Sequence, residues 1–126
     1  YKHAKTVRQQ TMMNLAPDSS VMLISQEQAQ LLQVLVHVTQ ATRVLEIGTF
    51  TGYSTLFIAD ALKRANRNGR MVTVDVESRT QQMARQNIKE AGLDHVVSFV
   101  LQDGKQFMHD WSADGKEPFD MIFIDA

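Results

Sequence analysis

The hydrophobic residues of this chain occur in two alternating patterns, short continuous runs and longer segments with helical spacing. The continuous runs are rich in β-branched residues and predict four strands, at residues 44–47, 70–75, 96–101 and 119–125. The segments between them predict helices over 54–64, over 80–91 and around 107–111. Because strands alternate with helices, the pattern predicts an α/β fold with a parallel sheet wound by right-handed crossovers.

The segment before the first predicted strand is polar at its start and helical further on. Residues 1–20 predict a surface helix or a polar arm that ends in a turn at Pro17 to Ser20. A helix follows Ser25, because Ser25 and Gln28 have the spacing of a capping box. Its apolar face is predicted to contain Leu31, Leu32, Leu35, Val36 and Val38. His37 has no other ligand type at metal spacing and is interpreted as structural.

A glycine-rich turn follows the first strand and is the most informative stretch of the chain. Gly48 and Gly52 separate the strand from a helix that is predicted to begin at Ser54. Glycine lets a ligand approach the main chain closely, and the N-terminus of the next helix offers unpaired N–H groups to an anionic group. The turn therefore indicates a site for a nucleotide-like ligand, although glycines are also common as ordinary turn residues.

The spacing of this turn differs from the patterns of three common classes of enzyme. Gly48 and Gly52 lack the middle glycine of the dinucleotide-binding pattern, and no lysine follows as it does in a P-loop. The residues from Gly52 to Leu56 also lack the second glycine of a nucleophile elbow. Nicotinamide binding, ATP hydrolysis and serine hydrolysis are therefore disfavoured.

An acidic residue lies at or just after the end of each predicted strand. These acids are Glu46, Asp75, Asp103 and Asp125. The carboxyl ends of parallel strands meet at one edge of the sheet, where ligands of such folds bind. Glu46 also lies in a strand that is expected to be buried, and a buried charge is costly without a partner. We therefore expect a ligand ammonium or hydroxyl group to be that partner.

The order of the strands suggests what each residue at this edge does. Asp75 is placed to accept hydrogen bonds from the two hydroxyls of a ribose. Asp103 would accept from the exocyclic amine of an adenine, and Gly104 would leave room for the ring. Three residues would surround an amino-acid-like tail at the other end of the ligand: Glu46, Gly48 and Ser54. Asp125 is a candidate oxygen ligand for Mg²⁺ or Ca²⁺.

Composition limits the broad class of protein. The 126 residues fit one domain, and 44% of them are hydrophobic, which is enough to form a core. A net charge of −1 gives no basic surface for nucleic acid, and the absence of cysteine excludes disulfides and thiol chemistry. No apolar run is long enough for a membrane span, and the first residues lack the apolar core of a signal peptide, so a cytoplasmic location is expected.

Four segments of the sequence resemble a known enzyme family. They are residues 22–30, residues 44–54 with the run Leu-Glu-Ile-Gly-Thr-Phe-Thr-Gly-Tyr-Ser, residues 90–95 and residues 119–126. Together they are similar to the class I S-adenosylmethionine-dependent O-methyltransferases of the caffeoyl-CoA type, to which catechol O-methyltransferase is more distantly related. The resemblance implies a Rossmann-like parallel sheet with helices on both faces.

The resemblance also implies a cofactor, a metal and a substrate class. The residues that would hold the methionyl part of S-adenosylmethionine are Ile24, Glu46, Gly48, Thr49 and Ser54. Asp75 would hold the ribose, and Gly104 would lie at the adenine. Asp125 would bind Mg²⁺ or another divalent cation, which chelates two vicinal oxygens of a catechol-like or phenylpropanoid acceptor. Methyl transfer would then be an in-line displacement that depends on proximity and electrostatic stabilisation.

The chain departs from the family pattern at three places. Gln102-Asp103-Gly104 stands where relatives often have Gly-Pro-Ala, and Ala29 stands where they have glycine. The family also continues past Ala126 with further strands and with residues that complete the metal site. We therefore expect residues 21–126 to be an S-adenosylmethionine-binding domain that is incomplete at its C-terminus, with the sheet truncated after its fourth strand.

This incompleteness has two consequences for the expected function. The apolar fourth strand would leave an open edge that favours a homodimer or higher self-association. The first functional hypothesis is a metal-dependent O-methyltransferase, and the second is a cofactor-binding fragment or module without catalytic activity. A nicotinamide-dependent reductase is a weaker third hypothesis, because the middle glycine is missing.

Overall fold

The computed structural model describes residues 2–14 and 23–126, and the predicted turn at Pro17 to Ser20 lies outside these ranges. The helices are α1 (Lys2–Asn14), α2 (Gln26–Val38), α3 (Tyr53–Ala65), α4 (Ser78–Glu90) and α5 (Gly104–Ala113). The strands are β1 (Arg43–Ile47), β2 (Arg70–Asp75), β3 (Val97–Leu101) and β4 (Met121–Ile124). The predicted order of strands and helices is confirmed, with small differences in where each element begins and ends.

The four strands form one parallel sheet with the order β3-β2-β1-β4. The chain moves outward from β1 through β2 to β3 and then returns to place β4 on the other side of β1. The strand order therefore reverses between β1 and β4, and the crevice outside their carboxyl ends is where such sheets bind ligands. β4 lies at an edge of the sheet, as the sequence predicts.

Helices cover both faces of the sheet, which confirms the predicted α/β architecture. Residues of α1, α2, α3 and α4 pack on one face in the larger core, which includes Val44 and Met71. Phe107 of α5 packs on the other face against Leu45 and Val74. Right-handed crossovers explain this division, because α3 and α4 connect strands in one direction and α5 connects them in the opposite direction.

The first helix is an integral part of the larger core. α1 is a helix in which Ala4, Val7 and Thr11 are buried, whereas its other residues are partly or fully exposed. These three positions recur at intervals of three and four residues and therefore lie on one side of the helix. α1 packs with this side against α3 and α4.

The second helix confirms its predicted start but not its predicted apolar face. The capping box is present, with Ser25 N donating to Gln28 Oε1 at 3.0 Å and Gln28 N donating to Ser25 Oγ at 3.1 Å. Leu32 and Val36 are buried, as is Ala29, but Leu31, Leu35 and Val38 are 56%, 39% and 73% exposed. The helix has more apolar positions than one side can present to α3. The spacing of its apolar residues predicts an amphipathic helix but does not determine which side is buried.

The short helix α5 carries the aromatic residues that were predicted to be core. Phe107 is buried, and Trp111 packs between Phe107 and Phe119 with ring centroids 5.4 and 4.8 Å away. Met108 is 36% exposed, so its predicted core position was wrong. Helix α5 covers only part of this face of the sheet, and Ile122 of β4 is 51% exposed.

Candidate functional site

The four acids lie along the carboxyl edge of the sheet, as the alternation of strands and helices predicts. In the spatial order of the strands they are Asp103, Asp75, Glu46 and Asp125. Glu46 and Asp125 are close enough for the negative charge of Asp125 to raise the pKa of Glu46. The two lie on β1 and directly after β4, at the point where the strand order reverses. This edge is therefore the candidate site.

Glu46 is completely buried, with three hydroxyl groups as its partners. Ser54 Oγ donates to Oε2 at 2.5 Å, and Oε1 accepts from Thr55 Oγ1 at 2.5 Å and Thr73 Oγ1 at 2.7 Å. Burial raises the pKa of Glu46 to about 7, the three hydroxyls offset part of that rise, and Asp125 adds to it. The expectation that Glu46 needs a ligand as its partner was wrong, because the protein supplies three donors.

Thr73 links Glu46 to the glycine turn. Thr73 faces Glu46 across the β1–β2 register and is itself 2.8 Å from Thr49 Oγ1. Thr49, Thr55 and Thr73 are 0–1% exposed, so the network is closed to solvent. Sequence reasoning missed Thr55 and Thr73, although a polar residue within the apolar run of β2 is a usable signal. The network holds β1, β2, the turn and the start of α3 together.

The glycine turn, residues 48–52, adopts a conformation that few other sequences tolerate. Gly48, Phe50 and Gly52 have positive φ angles of 103°, 49° and 89°. A Cβ atom on Gly48 would lie 2.2 Å from the backbone oxygen of Asp125. Gly48 is therefore required because the chain itself passes close by after β4, and not only because a ligand could approach the turn.

Asp75 ties the end of β2 to the glycine turn. Its Oδ2 accepts from Phe50 N at 2.9 Å, and its Oδ1 accepts from Val76 N at 2.7 Å and Glu77 N at 3.1 Å. A carboxylate has about four acceptor positions in total. Asp75 therefore keeps capacity for a further donor, and it is partly exposed at the edge of the sheet.

Asp103 and Gly104 have local structural roles beside this edge. Asp103 caps α5, because its Oδ2 accepts from Gln106 N at 3.0 Å, and it is exposed. A Cβ atom on Gly104 would lie 2.4 Å from Ile47 Cγ2, so glycine lets α5 begin against the end of β1. The side chain of Ile47 therefore occupies the space where a Cβ atom of residue 104 would lie.

Residues of α1 contact the candidate site, and sequence reasoning missed them. Arg8 Nη2 donates to the backbone oxygen of Ile24 at 2.6 Å, and its guanidinium lies 4.5 Å from the ring centroid of Tyr53. Thr11 Oγ1 lies 2.7 Å from Thr51 Oγ1. No local sequence signal indicates these contacts, because they join segments that are far apart in the chain.

Asp125 is an exposed carboxylate at the open end of β4. Within residues 2–14 and 23–126, no group of three or more His, Cys, Asp or Glu side chains could hold a metal ion. In the same ranges, no helix has the length and apolar character needed to cross a bilayer. Asp125 thus provides one oxygen ligand but not a complete metal site.

Comparison with known proteins identifies the family of this chain. The sequence model of the O-methyltransferase family matches residues 2–126. The chain belongs to the O-methyltransferase family. A catechol O-methyltransferase of Niastella koreensis is 38% identical over 103 residues, which are 82% of this chain and 45% of that protein. A putative caffeoyl-CoA O-methyltransferase of Arabidopsis thaliana is 35% identical over 85% of this chain and 44% of its own length.

Solved structures of O-methyltransferases share this fold. One is the O-methyltransferase TomG of Streptomyces achromogenes, solved in complex with SAM. The match covers 100% of this chain and 54% of the TomG chain, with a TM-score of 0.86 and 33% identity. The Bacillus cereus O-methyltransferase, solved in complex with SAH, gives a TM-score of 0.85 and 33% identity over 100% of this chain and 55% of its own. The chain spans about half the length of the relatives it matches.

Proposed function

We propose that this chain is the cofactor-binding part of an S-adenosylmethionine-dependent O-methyltransferase that acts on a catechol-like or phenylpropanoid hydroxyl group. The observation that carries the proposal is the match of the whole chain to an O-methyltransferase solved with SAM, at a TM-score of 0.86. The acceptor class follows from the similarity to a catechol and a caffeoyl-CoA O-methyltransferase. The acceptor itself is expected to be a small phenolic molecule.

The residues of the candidate site fit this cofactor. Asp75 has acceptor capacity for ribose hydroxyls at the end of β2. Gly52, the N-cap of α3, provides no side-chain cap, and a ligand carboxylate is proposed to take that place at the first N–H groups of the helix. S-adenosylmethionine would supply a methyl group bonded to a sulfonium sulfur, and the neutral thioether of S-adenosylhomocysteine would be the leaving group.

The proposed roles of the remaining residues follow from the sequence resemblance and from their positions. The methionyl part would be held by Ile24, Glu46, Gly48, Thr49 and Ser54. Asp103 and Gly104, at the start of α5, would lie beside the adenine. Because Glu46 and Ser54 bond to each other inside the protein, we expect them to act on the cofactor mainly by fixing the turn and the first residues of α3.

A divalent cation such as Mg²⁺ is the second proposed cofactor. Asp125 is exposed at the crevice between β1 and β4 and would supply one of its oxygen ligands. In the described ranges Asp125 belongs to no group of three or more His, Cys, Asp or Glu side chains that could hold a metal ion. Cofactor binding without turnover is the second candidate function.

Self-association and a cytoplasmic location complete the proposal. β4 is an edge strand, and Ile122 and Ile124 are 51% and 61% exposed. An unpaired apolar strand edge favours pairing with another chain. We therefore expect a homodimer or a larger assembly. The cytoplasm is the compartment expected from the sequence.

Calorimetric titration with S-adenosylhomocysteine tests cofactor binding. We expect saturable binding that Asp75→Asn weakens about tenfold or more, because hydrogen bonds to a charged group are lost. Asp120→Asn is the control, since Asp120, like Asp75, accepts from backbone N–H groups, here those of Thr42 and Arg43, but at the opposite edge of the sheet. Equal effects of the two substitutions, or no binding by the folded protein, would contradict the proposed site.

Turnover distinguishes the two candidate functions. The protein is incubated with S-adenosylmethionine and catechol, with Mg²⁺ or with a chelator, and methylated product is measured. Product that depends on Mg²⁺ supports the metal-dependent enzyme. Binding of S-adenosylhomocysteine without any product supports a cofactor-binding module.

A further inference from the structure

The glycine turn is held in place by contacts from outside it. Phe50 has a φ of 49°, which is uncommon for a residue with a side chain, and it lies between two glycines that also have positive φ. A conformation of this kind persists only when the surrounding structure fixes it. Asp75 and Thr73 provide such contacts through Phe50 N and the Thr49 hydroxyl, and α1 and α4 provide further ones.

Thr51 is the residue of the turn that α1 and α4 hold. Its side-chain hydroxyl lies 2.7 Å from Thr11 Oγ1, and its backbone oxygen accepts from Asn87 Nδ2 at 3.0 Å. Thr11 donates its only hydroxyl proton to the backbone oxygen of Val7 at 2.8 Å. Thr51 is therefore the donor in the bond between the two threonines. Both residues have an exposed fraction of 0%.

The buried hydroxyl of Thr11 is not needed to pack α1. Position 11 continues the buried side formed by Ala4 and Val7, where an apolar residue such as valine would fit a helix that only packs. A buried hydroxyl costs free energy unless it is bonded, and the Thr11 hydroxyl is bonded both to Val7 O within α1 and to Thr51 of the glycine turn. Thr6 makes the same bond to the residue four positions earlier, but it is not buried and its bond is exposed.

A second contact from α1 reaches the other predicted cofactor segment. Arg8 donates to the backbone oxygen of Ile24 and lies over the ring of Tyr53, the first residue of α3. Arg8 and Thr11 are three positions apart and so project from neighbouring positions of the helix. One helix thus contacts the Ile24 segment, the glycine turn and the start of α3.

We propose that α1 positions the cofactor-binding turn, with Thr11 as the positioning residue that fixes Thr51. This inference rests on the proposed function, since it assumes that residues 48–52 contact S-adenosylmethionine. Thr11 has an exposed fraction of 0%, so the role proposed for it is indirect. It sets the turn geometry on which cofactor affinity depends, so its loss should change affinity and not only stability.

The test compares four proteins: the wild type, Thr11→Val, Thr11→Ser and Thr6→Val. The dissociation constant for S-adenosylhomocysteine is measured by calorimetry, and the fraction of folded protein is checked by circular dichroism. We expect Thr11→Val to weaken binding by about tenfold, because the hydrogen bond that fixes Thr51 to α1 is lost. Thr11→Ser keeps the hydroxyl and should restore the wild-type affinity, and Thr6→Val should not change it.

Two further variants test whether the effect comes from the bond between Thr11 and Thr51. Thr51→Val removes the other hydroxyl, and the double variant with Thr11→Val should bind about as weakly as either single variant, because the same contact is lost. If Thr11→Val lowers stability while the folded protein binds with wild-type affinity, Thr11 only packs and the inference is wrong.

Hydrogen exchange separates this inference from the proposed function. Exchange of the Phe50 and Thr51 amides is measured without cofactor, and Thr11→Val should accelerate it relative to Thr6→Val. If the wild type fails to bind S-adenosylhomocysteine, the proposed function fails, and faster exchange still supports the positioning of the turn. Unchanged exchange in Thr11→Val would overturn the positioning role whether or not the cofactor binds.

Discussion

Substitution of Glu46 by glutamine tests whether the buried carboxyl group keeps its proton in the folded protein. Burial raises the pKa of Glu46 from 4.5 to about 7, so the folded state holds this proton where the unfolded state has released it. Folding therefore takes up a proton in this interval, and the free energy of unfolding falls as the pH rises. The stabilisation is complete below pH 4.5 and is lost as the pH rises through 7.

The size of the effect follows from the two pKa values. Each pH unit between 4.5 and 7 removes about 1.4 kcal/mol of this stabilisation. Raising the pH from below 4.5 to above 7 should therefore lower the free energy of unfolding by about 3 kcal/mol through Glu46. Glu46→Gln cannot ionise, and its amide oxygen can still accept from Thr55 and Thr73. The Ser54 hydroxyl would instead accept from the new amide. The variant should therefore lack this pH dependence and be the more stable protein at pH 8.

Urea unfolding at a series of pH values between 4.5 and 8 measures the difference. The fluorescence of Trp111, the single tryptophan, reports the transition. Asp110 and Asp120 do not interfere, because hydrogen bonds lower their pKa values and their stabilisation is lost only as the pH falls into the acid range. Parallel stability curves for wild type and Glu46→Gln would refute the reasoning, because Glu46 would then ionise equally in the folded and unfolded states.

Two further predictions concern the glycine turn and the sheet edge. Gly48→Ala should cost roughly 3 kcal/mol or more in urea unfolding, because its φ is 103° and its Cβ would lie 2.2 Å from the Asp125 oxygen. Gly115→Ala is the control, with a φ of 64° and no atom within 4 Å of the new Cβ, and should cost only about 1 kcal/mol. Ile122→Lys should shift sedimentation toward the monomer, since a charged side chain on an edge strand opposes pairing, and unchanged sedimentation would count against self-association through β4.

The sequence by itself determined the secondary structure and the class of fold. The alternation of apolar runs and helical segments predicted the order of elements, and the capping box at Ser25 was correct. These features depend on residues that are neighbours in the chain. The position of the acids at one edge was also predictable, because parallel strands put their carboxyl ends together.

Tertiary structure decided which atoms these residues contact. The periodicity of α2 could not show that Leu32 is buried and Leu31 exposed, since that choice depends on where α3 lies. The charge of Glu46 suggested a ligand, whereas Thr73, 27 residues away, and two hydroxyls of α3 satisfy it. The hydrogen bond between Thr51 and Thr11 joins residues that are 40 positions apart. Such contacts arise only when the whole core packs, because local spacing fixes the direction of a side chain but not what lies opposite it.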